Sequence, residues 1–277
     1  MKKKIAIMLV LCLSLGVFMM GCGNSEPEPN DVKEPVVEDT SWLDIKEKGY
    51  FVMGLDDAFP PMGYREQGTD DIIGFDIDLA NAVAKEMGVE VKFQPVIWDT
   101  IIEELNGKNI DLIWNGLTIT DVRKKAMAFT DPYIEDKQLI VIQPSSDIAD
   151  KTDLAGKIIG IQAGSSAIEA VERDAKTYES IGELVEFGSN DEALLDLTTG
   201  RVDAVVVDEV VGRYYKGKKP DDYKIIADHF GTEEFGVGLR LEDKAFLAEL
   251  QKALKAVKAD GTASEISIKW FGVDITK

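Results

Sequence analysis

IDLIWNGLTITDVR, Ile110 to Arg123, holds the change of pattern on which the fold turns. Its first half is a continuous apolar run (Ile110, Leu112, Ile113), the kind a strand shows when both of its faces are covered. Its second half passes through Asn115-Gly116, Thr118 and Thr120, and the residues from Asp121 onward read as a helix. Thr120 suits the N-cap of that helix, which leaves backbone N–H groups pointing outward at its start. Gly116 lets backbone approach another molecule closely, Thr118 adds a hydroxyl, and Arg123 carries a planar fork that matches a carboxylate. In open α/β sheets, ligands collect beyond the carboxyl ends of the strands, where such loops enter helices. A cap beside a surface arginine explains the same residues, so on the junction alone both readings stand.

The same alternation extends in both directions. Upstream, YFVMGL reads as a strand. DIDLANAVAKEMG reads as a helix with Ala80, Val83, Ala84 and Met87 on one face and Gly88 as its stop. VEVKFQ alternates at period two, and DTIIEELNG is helical. Downstream come QLIVIQ, KIIGIQ, a helix from about Ser165, LVEF, a helix from Asn190 to Thr199, and VDAVVV. FGVGLR is a last strand, and KAFLAELQKALKAVKADG is the longest amphipathic helix, with Phe246, Leu247, Leu250, Leu254 and Val257 in its stripe. Strands alternating with helices predict an α/β architecture with parallel sheet covered on both faces. The βα pattern falls into two similar blocks, so two lobes are expected.

GFDIDLANAVAKEM, Gly74 to Met87, resembles the signature of the bacterial extracellular solute-binding proteins that serve polar amino-acid ABC transporters. The order of the other segments is similar too: LDDAFPPMGY, the run with Trp98, IDLIWNGLTITDVR, FTDPY, GKIIGIQAGSSA, GRVDAVVVDEVV and DGTASEISIKWFG, covering about Trp42 to Gly272. The resemblance implies a two-lobed periplasmic-binding-protein-like fold of type II with a hinge of two crossing strands. It implies that Arg123 clamps a ligand α-carboxylate, helped by Thr118 and, from the other lobe, Ser165 and Ser166. Gly116 would offer its carbonyl to the α-ammonium, and Asp208 the matching carboxylate. Phe59 and Trp98 would flank the ligand side chain, with Asp56 at its polar end and Gln162 at another specificity-setting position.

Elementary chemistry agrees: a zwitterion needs a guanidinium at one pole and a carboxylate at the other, with little water between. Taken singly, Asp208 also suits a cap for the helix that follows it, Phe59 suits a core, and Trp98 a staple at a helix start. Asp76 and Asp78 look like a catalytic pair, yet they sit where a helix begins, and capping with dipole complementarity explains them better. Glu209 and Tyr214-Tyr215 either line the cleft or face solvent. His229, the single histidine, falls in a return between lobes. A Walker-type phosphate loop, a G-x-S-x-G elbow and a metal-ligand constellation are all missing from the sequence, so no cofactor and no metal are expected.

The N-terminus sets the compartment. Lys2 to Lys4 precede an apolar stretch, Ile5 to Met20, of signal-peptide length. Met19-Met20-Gly21-Cys22 resembles the lipobox of bacterial lipoproteins, which implies cleavage after residue 21 and acylation of Cys22. The chain's other cysteine, Cys12, leaves with the signal, so the mature chain forms no internal disulfide. Residues 22–41 are acidic and proline-bearing, with too little apolar surface to order themselves, and read as a tether. The net charge of −20 disfavours nucleic acid and anionic membrane surfaces as partners.

These readings converge on a lipid-anchored, monomeric binding protein at the outer face of a bacterial membrane. Lobe one is expected over 42–138 plus 231–277 and lobe two over 139–230, joined by strands near QLIVIQ and DHFGTEEFG. It would capture a free polar or cationic amino acid by hinge closure and hand it to a permease driven by a separate ATPase. Asp56, Asp57 and Glu209 point to arginine or lysine, while Gln162 and the aromatic pair fit glutamine or cystine. A small dehydratase acting on a carboxylated substrate fits the same scaffold. A sensory or cell-wall-binding module fits less well, because no spanning helix or appended catalytic region follows the lobes.

Overall fold

The computed structural model describes residues 38–277; the expected signal segment, Cys22 and most of the expected tether lie outside the described residues. The Asp39 carboxylate accepts the N–H groups of Ser41 and Ala245. Two five-stranded sheets form the frame. The first runs Glu90–Pro95, Tyr50–Leu55, Leu112–Ile113, Gly238–Leu239, Ala128–Phe129. The second runs Glu183–Phe187, Ile158–Gln162, Ala204–Asp208, Ile134–Ile142, Lys224–Phe235. A small antiparallel sheet of Ala58–Phe59, Gly63–Arg65 and Ile72–Ile73 follows Tyr50–Leu55 in the chain.

Neither sheet is wholly parallel. Tyr50–Leu55 pairs in parallel with Glu90–Pro95 and Leu112–Ile113, but Gly238–Leu239 enters antiparallel between Leu112–Ile113 and Ala128–Phe129. The physical reason is the chain path. Ile134–Ile142 carries the chain out of the first half, and Lys224–Phe235 brings it back in the opposite sense, pairing antiparallel along nearly its whole length. These two strands are the crossing pair. Register shifts fall between Ile225 and Thr232, around His229, which accepts the N–H of Gly231 on Nδ1 at 3.0 Å. Such irregularities bend a strand locally.

Helix Phe75–Met87 buries Phe75, Ile77, Leu79, Ala80, Val83 and Ala84 and ends at Gly88, whose left-handed φ of 72° lets its N–H return to Ala84. The last long helix, Lys244–Ala259, packs on it with Phe246, Leu250, Leu254 and Val257 buried. Each such side chain contributes about 1.5–3 kcal/mol by leaving water. A second core of Ile140, Ile159, Ile161, Ala204 and Val206 covers one face of the second sheet, while Val205 and Val207 on its other face pack with Leu194 and Leu197 in the larger core.

The junction itself differs from expectation in length. Within IDLIW only Leu112–Ile113 forms ladder, and the following helix is one turn, Arg123–Ala126, rather than a longer one from Asp121. Val122, not Thr120, stands at the N-cap of this turn, although Thr120 Oγ1 still accepts the N–H of Arg123 at 3.2 Å. Met127 is already extended because the next residues, Ala128–Phe129, pair with Gly238–Leu239. Sheet pairing overrides the local helical preference.

Candidate ligand-binding site

The loop after Leu112–Ile113 is held from beneath by side chains far away in sequence. Asp76 Oδ2 accepts the N–H of Gly116 at 2.8 Å and the hydroxyl of Tyr133 at 3.0 Å. Asn115 Oδ1 accepts the N–H of Asp56 at 3.1 Å, tying this loop to the one that follows Tyr50–Leu55. Gly116 has φ +59°, and a Cβ there would meet Phe59 Cε1 at 2.8 Å, so only glycine lets the Phe59 ring lie on this backbone. Asp76 therefore corrects the reading of an ordinary helix start: its carboxylate leaves the helix to fix the loop. Burial pushes its pKa up to about 7, against the bonds from Gly116 and Tyr133. Asp78 likewise does not cap; it accepts from Trp270 Nε1 at 2.7 Å and pairs with Lys269 at 2.6 Å.

Arg123 is only 7% exposed. Its guanidinium donates to the Thr118 carbonyl and, across to the other lobe, to the Gly164 carbonyl, each at 3.0 Å. Its central carbon stands 5.9 Å from the Trp98 ring centre. Among the described residues it forms no ion pair, and with two of its five N–H groups on carbonyls three are left to donate. Burial lowers its pKa, and the charges of Glu233, Glu169 and Asp208 partly restore it. Phe59 and Trp98, both buried, lie nearly parallel at 6.4 Å between centres and 9° between planes.

The second lobe meets this surface at several points. Gly164 has φ +68°, and a Cβ on it would come within 2.8 Å of Asp99 Cα in the first lobe. Gln162 Nε2 donates to Asp56 Oδ2 at 2.7 Å, and Tyr214 packs on Tyr64 at 5.8 Å between ring centres. Ser166 Oγ lies 2.9 Å from Thr118 Oγ1 and 2.9 Å from Glu233 Oε2. Ser165 Oγ is buried with no hydrogen-bond partner among the described residues. Of the acids that suggest a cationic ligand, Asp57 is paired with Arg65 at 2.5 Å and Glu209 with Arg213 at 2.5 Å. Asp56 remains, its pKa raised by burial against the bonds from Ala58 and Gln162.

Asp208 does not cap the helix it precedes. Asp136, from the first crossing strand, does so instead, taking the N–H groups of Glu209 and Val210 at 3.0 and 3.1 Å. The antiparallel register sets Gln138 opposite Asp208, and Gln138 Nε2 donates to Asp208 Oδ1 at 2.8 Å. Glu233, opposite Asp136 on the second crossing strand, brings a third buried carboxylate. Burial and then the Glu233 charge push Asp208 up to about 8, with Gln138 and Arg123 acting the other way. Asp136 is also raised well above the usual carboxylate range, by burial first and the Asp208 charge second.

All ten predicted site residues thus gather where the lobes meet, but two hydroxyls are aimed differently from expectation. Thr118 has one proton, and it goes to Glu233 at 2.6 Å. Ser166 also has one, and its acceptors are Thr118 and the same Glu233 oxygen. Sequence reasoning missed Glu233, Gln138 and Asp136 and misread Asp76. One signal existed: Glu233 and Phe235 alternate inward at period two, so an acid occupies a position whose pattern is apolar.

Two α/β lobes joined by a pair of crossing strands, with a buried cation on one and a buried carboxylate on the other, are the architecture of a cleft-type solute-binding protein. The chain belongs to the bacterial extracellular solute-binding proteins, family 3, whose model matches residues 51–273. It is 32% identical to the L-cystine-binding protein TcyJ of Escherichia coli strain K12, over 84% of this chain and 86% of that one. It is 29% identical to the L-cystine-binding protein TcyA of Bacillus subtilis strain 168 over the full length of both. Among solved structures, a substrate-binding protein of an ABC uptake transporter from Streptococcus pneumoniae with bound histidine superposes with a TM-score of 0.83. The identity there is 35%, over 86% of this chain and 98% of that one. The dehydratase reading draws no support from these relatives, all named as binding proteins. No helix of the described residues is long and apolar enough to cross a membrane.

Proposed function

We propose that this protein captures one free polar or cationic amino acid between its lobes and delivers it to a membrane permease, held near that permease by lipid on Cys22. The observation that carries this reading is Arg123: a buried guanidinium with N–H groups to spare and no ion pair among the described residues, bonded to Gly164 of a lobe in which the strand Ala204–Asp208 ends in a buried carboxylate. The ligand carboxylate would lie on Arg123 and the Ser165 hydroxyl, its ammonium between Asp208 and the Gly116 carbonyl, and its side chain between Phe59 and Trp98 toward Asp56 and Gln162. Residues 42–138 plus 231–277 would move as one lobe and 139–230 as the other, flexing where the second crossing strand loses register. The ligand would shift the open–closed equilibrium by its differential affinity for the closed form. Thermal-shift screening of the twenty amino acids with cystine and ornithine, followed by calorimetry on the hits, tests the proposal. Micromolar or tighter binding of at least one is expected; binding of none overturns it.

A further inference from the structure

Three buried side chains run in a line from the second lobe into the first. Asn190 Nδ2 donates to Gln162 Oε1 at 2.9 Å, and Gln162 Nε2 donates to Asp56 Oδ2 at 2.7 Å. The remaining Nε2 hydrogen faces the Gly188 carbonyl at 3.4 Å, and Asp56 Oδ1 is fixed by the N–H of Ala58 at 2.8 Å. Asn190 opens the helix Asn190–Thr199, Gln162 ends the strand Ile158–Gln162, and Asp56 follows the strand Tyr50–Leu55.

The direction of this line has consequences. An ionised carboxylate only accepts, so the lobes can meet here only if Gln162 turns its NH2 toward Asp56. The reverse orientation would set a carbonyl oxygen against a carboxylate and oppose closure. Asp56 belongs to the other lobe and cannot hold the amide while the cleft is open. Asn190 shares a lobe with Gln162 and can.

We propose that Asn190 is a positioning residue that fixes the Gln162 amide before the lobes meet, making the side-chain end of the cleft an acceptor site. This rests on the amino-acid cleft proposed above. With both Nε2 hydrogens committed to Asp56 and Gly188, Gln162 has no donor left for a ligand. What faces the end of the ligand side chain is then the Asp56 carboxylate. Side chains ending in N–H groups (ammonium, guanidinium, amide, imidazole) are accepted, and those ending in a carboxylate are refused.

The test uses the best ligand from the amino-acid screen, with dissociation constants from calorimetry at pH 8 and folding checked by thermal melting. N190D presents only acceptors, so Gln162 must flip; a loss of at least about tenfold is expected. N190L removes the donor without imposing the flip and should lose less. A purely space-filling role predicts the reverse ranking, since Asp is the closer in shape. D56N keeps Ala58 on its oxygen and turns NH2 toward Gln162, which suits the flipped amide. It should therefore cost N190D less than it costs wild type. If N190D does not fold, N190L carries the test through a several-fold loss. Wild-type affinity in N190D or N190L, a greater loss in N190L than in N190D, or independent effects of N190D and D56N would each overturn the role. A wild type that binds no amino acid would instead overturn the function and this role together.

Discussion

Substituting Arg123 and substituting Asp208 probe opposite poles of the same contact. In R123A a ligand carboxylate would be buried without its cation, and in D208A an ammonium without its anion. Each variant is expected to weaken binding by about 2–4 kcal/mol, because the unpaired charge keeps its desolvation cost. Calorimetry that returns wild-type affinity for either one excludes the assignment. Asp208 also makes binding sensitive to pH. With the lobes in contact and no ligand between them, burial and Glu233 hold its pKa at about 8, so it is largely protonated there at neutral pH. A ligand ammonium favours the ionised form, so binding expels a proton. Affinity should then rise with pH through neutrality toward about 8, by at most about tenfold per pH unit. Calorimetry near pH 7 in buffers of different ionisation enthalpy should register the released proton in wild type and a much smaller release in D208N. Equal proton counts in the two would place the titration elsewhere.

Among the elements, the turn between strand Ile158–Gln162 and helix Ser166–Arg173 is the most constrained by the other lobe. Gly164 is left-handed, and a side chain there would strike Asp99 across the cleft. G164A is expected to add about 1 kcal/mol of local backbone strain and to weaken ligand binding further by hindering closure, at least about tenfold in all. Its melting temperature without ligand should fall by only a few degrees. A large drop in melting temperature with unchanged affinity would show that Gly164 serves the fold instead. The elements themselves were readable from sequence because each is set by short-range pattern: YFVMGL coincides with Tyr50–Leu55, and Asn190–Thr199 and Lys244–Ala259 appear where periodicity puts them. Arg123, Thr118 and Asp208 drew notice because strand ends and family-like motifs mark them, and all three are buried. Glu233 and Gln138 were not, since they reach the site through the register of two strands about a hundred residues apart. Asp76 was misread because helix-start statistics say nothing of a loop forty residues on that needs an acceptor.

For the molecule as a whole, cross-cleft contacts without a ligand come from the chain's own groups: Asp56 with Gln162, Arg123 with Gly164, Thr118 with Ser166. Tyr214 on Tyr64 adds an aromatic contact, but none of these is a buried ion pair, so the ligand's two charges are expected to supply most of the closing free energy. Small-angle scattering should show the radius of gyration falling when the best amino acid is added to wild type, and no such fall in R123A. A radius that stays the same in wild type at saturating ligand would rule out hinge closure. The placement of Gly238–Leu239 in the first sheet carries a consequence for biogenesis. This short segment lies between Leu112–Ile113 and Ala128–Phe129, so the sheet begun at Tyr50 stays split until the chain has been made almost to its end. Helix Lys244–Ala259, which covers Phe75–Met87, comes later still. During synthesis the N-terminal half therefore has a gap in its sheet and an uncovered apolar face until residues 238–259 have been made, and such surface is open to mispairing in the interval.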